Sequence, residues 1–181
     1  MTRAAAGAPP IPAASPKAVR DLRTPTRWLA AVLMPLGPAS IAVLRLVMPY
    51  STPDSSTAMV TKISEHPGAE KLVLWMMFIA VVTLVPGVYF AIRLARRRAP
   101  VLAAVAALLL IPAFLANAAV GLPDFIGFTA TARGVDHATV ARIIDLTNNE
   151  TVVSQLTGIF VAGHLLGMIL LACALRRARQ I

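Results

Sequence analysis

LVLWMMFIAVVTLVPGVYFAI, residues 72–92, contains no Asp, Glu, Lys or Arg. A helix rises ~1.5 Å per residue and the hydrocarbon core of a bilayer is ~30 Å thick, so a run of this length spells a transmembrane helix. Three further stretches read the same way: residues 28–50, 101–120 and 152–175. Only the first of these carries a charge, Arg45 near one end. No period-two alternation competes with the helical pattern, and an open sheet in lipid leaves its edges without hydrogen-bond partners. The fold class is therefore all-α, a transmembrane four-helix bundle forming a single membrane domain over residues 28–181.

Composition agrees. The chain of 181 residues is 57% apolar and 14% charged, against roughly 45 to 50% and about 25% in soluble domains. Its mean hydropathy is +0.74.

A formal charge of +9 is of the kind that suits a nucleic-acid partner, but the placement of the basic residues argues against one. Arg3, Lys17, Arg20, Arg23 and Arg27 precede the first span, Arg93, Arg96, Arg97 and Arg98 separate the second from the third, and Arg176, Arg177 and Arg179 follow the fourth. These are twelve of the seventeen basic residues, accompanied by one acid, Asp21. The other two connections mix Lys62, Lys71, Arg133 and Arg142 with seven acids. Because Lys and Arg are retained on the cytoplasmic side, both termini are expected inside and both long loops outside a plasma membrane. The basic clusters are then topogenic and suit anionic lipid head groups.

Residues 1–27, rich in Ala and Pro, lack the apolar content to build a core and read as a disordered cytoplasmic tail. The first apolar run exceeds a secretory h-region and no A-x-A site follows it, which predicts an uncleaved span. In the first outer loop Ser55 or Ser56 is placed to cap a short helix ending before Pro67. In the second, Asp136 is the natural cap of a helix whose apolar stripe is Val140, Ile143, Ile144 and Thr147. Cys173 is the single cysteine and lies within a span, so no disulfide framework exists.

No soluble-enzyme, nucleotide or metal motif occurs, and no catalytic, cofactor-binding or metal-ligating residue is expected. His164 sits between Gly163 and Gly167, about 18 Å into the fourth span at the helical rise. A protonated imidazole at that depth is costly and no span supplies an acid, so a neutral ring is expected. At 100° per residue it shares a face with Thr157 and Gly167, the face suited to another helix. Gly163 and Gly167 form a G-x-x-x-G that permits close backbone approach, and an interhelical hydrogen bond from His164, worth about 0.6–2 kcal/mol, is the expected role. Thr83 and the Val82 carbonyl, beside Pro86 in the second span, are the partners at matching depth. Gly37, Pro38, Gly87 and Pro112 populate the same layer. A second polar cluster is expected at the outer end, where Arg45 can snorkel or pair with Asp124, with Asn117 nearby. No second span carries a His or Met placed as an obvious partner at that depth, which argues against a bis-histidine haem within the chain.

Three segments, ISEHPGAEKLVLWM, LVPGVYFAIRLARRRAP and GHLLGMILLACALRRARQI, together resemble a group of actinobacterial multi-pass membrane proteins of unknown function, over residues 28–181. The resemblance implies a membrane bundle and brings no catalytic residues. It also implies further spans after the R-x-R stretch, whereas this chain stops at Ile181. The leading expectation is a non-enzymatic membrane protein serving assembly or interaction, with itself or a membrane partner. The alternative is a small transporter or pore component using the layer around His164 together with Arg45.

Overall fold

The computed structural model describes residues 23–178, with side chains from residue 26 onward. Seven helices run in order: α1 Arg23–Val47, α2 Ser56–Glu65, α3 Pro67–Arg96, α4 Pro100–Val120, α5 Leu122–Thr131, α6 His137–Asn149 and α7 Thr151–Arg177. Four stretches, Thr26–Val47, Pro67–Arg96, Pro100–Thr131 and Thr151–Arg177, are long and apolar enough to cross a membrane. The chain is a multi-pass membrane protein. Its large exposed side chains, among them Trp28, Leu46, Val101, Leu108 and Ile169, are those a lipid-facing surface requires.

The expected tail lies outside the described residues up to position 22, and α1 already begins at Arg23. At its other end α1 stops at Val47 rather than continuing to Tyr50. Pro49 explains the difference, since its ring disfavours helical geometry at Met48. The second span starts earlier than its apolar run, because Pro67 opens α3 at a position where a missing N–H costs nothing.

Two closely packed helix pairs make the bundle, α1 with α3 and α4 with α7, and they join along α3 and α4. Glycine sets both approaches. A Cβ on Gly87 would stand 2.9 Å from the Leu33 carbonyl oxygen of α1, and one on Gly163 would stand 2.8 Å from the Leu109 carbonyl oxygen of α4. Lipid supplies no hydrophobic drive between helices, so such contacts carry the association through van der Waals attraction. Ala80, Leu84, Val88, Ala106, Leu110 and Leu171 belong to the core between the pairs. α1 does not approach α4 or α7 closely along its backbone among the described residues.

Three short helices cap one end. Ser55 accepts from the Ala58 amide at the start of α2, and Asp136 accepts from the Ala138 and Thr139 amides at the start of α6. The segment after α4, read above as loop, contains α5, which opens with Pro123 in its first turn. The buried stripe of α6 is Val140, Ala141 and Ile144, packed on Val60, whereas Ile143 is 42% exposed. The stripe is thus turned about one residue from the expected one. With α2 and α5 both packed against α6, the buried face follows those two neighbours.

Candidate functional site

Two neighbouring cavities share part of their walls. The first, about 320 Å³, lies between α1 and α7 on a floor of α3 and α4, and Met34, Leu84, Val88, Phe114, His164 and Met168 are among its walls. α1 and α7, which form two of its sides, do not pack closely against each other. The second, about 260 Å³, lies at the capped end among Arg45, Tyr50, Ser51, Thr52, Asp124 and Asn148. Ile41, Asn117 and Phe160 line both cavities, so the vestibule, with its polar residues, and the apolar cleft, with its single imidazole, adjoin across these three side chains.

His164 makes no interhelical hydrogen bond among the described residues. Its ring stacks on Phe160 at 5.4 Å and 22°, and lies against Phe114 at 5.6 Å and 49°. Thr83 is buried but turns its hydroxyl back to the Ile79 carbonyl, 2.6 Å away in its own helix. Thr157 does the same to the Val153 carbonyl at 2.9 Å. A threonine in a helix has its i−4 carbonyl within reach at all times, whereas a partner across the bundle must be held at the right depth. The His164 ring is thus one of the walls of the cleft.

Gly163 and Gly167 face α4, where the built-on Cβ atoms would meet Leu109, Leu110 and Ala113. The close-approach face is thus filled from within the chain. The opposite side of α7, including Ile159, Leu166, Ile169 and Cys173, is exposed.

At the capped end Arg45, Asn117 and Asp124 surround the same vestibule. Arg45 does not pair with Asp124; the ion pair formed among the described residues is Lys62 with Asp54, at 2.8 Å. Arg45 reaches the Met48 sulfur at 3.7 Å and is otherwise exposed. Asp124, buried at 4% exposure, accepts instead from the Tyr50 hydroxyl. Burial first, and then the Asp124 carboxylate, hold the Tyr50 phenol far above its ordinary value, so it stays a donor. Asn117 is buried and sets its amide against the Met77 sulfur at 3.6 Å.

Two members of this end escape a reading by composition. Tyr50 closes the first apolar run without any sign of a partner. Glu70 is fully buried, with Asp124 the neighbouring carboxyl. A signal for Glu70 exists: buried Val73, Ala80, Leu84, Gly87 and Ala91 continue back at helical spacing to position 70.

Among the described residues no three His, Cys, Asp or Glu side chains gather to hold a metal ion. Comparison with protein-family models, curated proteins and solved structures gives no match for the chain.

Proposed function

We propose that the protein binds and moves an amphiphile with an anionic head and an apolar tail, seating the tail in the α1–α7 cleft and the head near Arg45. The observation that carries this reading is that the vestibule and the cleft adjoin, sharing Ile41, Asn117 and Phe160 as lining. A cleft of about 320 Å³ falls within the roughly 300–1,000 Å³ of ordinary small-molecule sites. Apolar walls suit a tail, which enters from the bilayer between α1 and α7, where the two helices do not pack closely against each other. Arg45, exposed at the vestibule and free of an acidic partner within ion-pair distance, supplies the complementary charge.

An assembly role rested on the G-x-x-x-G face, which α4 occupies, so the transporter class is favoured over it. The capped end faces outward and the Arg93–Arg98 and Arg176–Arg177 end faces the cytoplasm, on the positive-inside rule, in a cell membrane whose anionic head groups those arginines contact.

The test uses nitroxide-labelled stearic acid and its uncharged methyl ester, added to the full chain in phosphatidylcholine nanodiscs. Trp28 and Trp75 are replaced by Phe, and a single reporter is introduced as Phe160→Trp in the cleft or Ile159→Trp facing lipid. Saturable quenching is expected at position 160 and not at 159. A charge-assisted contact is worth about 1.5–3 kcal/mol, so Arg45→Gln weakens binding of the acid by roughly tenfold or more and leaves the ester unchanged. Equal, non-saturable quenching at both positions refutes the proposal.

A further inference from the structure

Glu70 combines three properties that rarely meet in one side chain. It is a carboxyl group, its residue is 0% exposed, and neither oxygen has a hydrogen-bond partner. Unpaired buried charge is expensive, and native structures leave few such groups unsatisfied. The group nearest in kind is Asp124, which is itself buried and acts on Glu70 directly. Two ionised carboxylates offer only acceptors to each other, whereas one proton between them makes a short charge-assisted hydrogen bond and removes the repulsion.

We propose that Glu70 and Asp124 form a proton-binding site at the capped end, holding one proton between their carboxyl groups. Tyr50 completes it by donating its hydroxyl to Asp124. The pair then behaves as one acid with a single negative charge. Asp124, Tyr50 and Arg45 also line the vestibule, which gives the proton a way in from that side.

Among the described residues no cation stands within ion-pair distance of either carboxyl group. Arg45 of α1 acts on Asp124 and Tyr50 but stands beyond ion-pair distance. Lys62 of α2 is engaged with Asp54, and Asp145 of α6 accepts from Ser56. α4 carries no charged residue. Glu70 lies on α3 and Asp124 on α5, so the shared proton also ties the cap to the bundle, and its loss places two negative charges between these helices. This inference does not require the amphiphile, since neither carboxyl group lines the apolar cleft, although Asp124 borders the vestibule proposed for its head.

Infrared spectroscopy of the full chain in nanodiscs tests it, by the carbonyl stretch of a protonated carboxyl group, which is distinct from that of a carboxylate. The wild-type protein at pH 7 in potassium buffer is expected to show one protonated carboxyl band that downshifts in D2O. Glu70→Gln and Asp124→Asn should each abolish it, while Glu65→Gln, at an exposed loop-side acid, should retain it. Absence of the band in the wild type at pH 7 overturns the proposal, and so does its survival in both site variants. Loss of the band on replacing potassium with sodium overturns it in favour of a metal cation between the carboxylates. Because the wild-type spectrum alone decides the first outcome, misfolding of a variant leaves the test intact.

Discussion

Gly163→Ala places a methyl group where α4 leaves no room. The added Cβ would lie 2.8 Å from the Leu109 carbonyl oxygen and 3.0 Å from the Ala113 Cβ. Relaxed carbon–carbon contacts lie at about 3.5–4.0 Å. Both neighbours are fixed to the backbone of α4, so no rotamer change relieves the clash and α7 must move away by several tenths of an ångström. Overpacking of this kind costs about 1–3 kcal/mol, or roughly a 5- to 150-fold shift in the unfolding equilibrium. Gly158→Ala is the matched control: it lies in the same helix, and a Cβ there meets nothing within 4 Å. Reversible unfolding in mixed micelles by increasing SDS mole fraction, followed by circular dichroism, measures both. Gly163→Ala should lose at least 1 kcal/mol relative to Gly158→Ala, and equal stability of the two would refute the packing described for α4 and α7.

Two further outcomes follow from the site and the cap. His164→Leu removes ring stacking but no interhelical hydrogen bond, so the bundle should lose less than about 1.5 kcal/mol in the same unfolding assay while quenching by the labelled fatty acid changes; a larger loss would reveal a bond to the imidazole. Asp136 is held below its ordinary carboxyl value by hydrogen bonds from Thr139 and Ala138. A lowered folded value means that this contribution is present above the ordinary value of 3.8 and disappears as pH falls through the lowered one. The protection of α6 amides against hydrogen exchange, corrected for the intrinsic rate, should therefore fall below about pH 4 in the wild type, with much of that pH dependence gone in Asp136→Asn.

The spans were legible because burial in lipid demands a long uncharged run, and residues 72–92 or 152–175 satisfy that demand on any reading. Caps were legible for a similar reason: Ser55 and Asp136 each act on amides two or three positions away. Contacts between elements were not. Position 164 marks an unusual residue, but whether its ring meets Thr83 or an open cleft depends on the spacing of α1 and α7, which no local pattern encodes. Threonine chose the carbonyl one turn back, and Asp124 chose Tyr50, distant by 74 positions, over Arg45. Glu70 was hidden by its chemistry. An acid beside a lysine reads as a loop residue, and only the backward extension of the buried stripe of α3 betrays it.

The proposal that a ligand spans the two adjoining cavities is tested most directly by the reactivity of Ile41→Cys, in a Cys173→Ser background, toward a small impermeant methanethiosulfonate in intact cells. Ile41 lines both cavities. The account predicts modification from outside that stearic acid slows, with Arg97→Cys unreactive until the cells are opened. Reaction at Arg97→Cys in intact cells together with none at Ile41→Cys would contradict it.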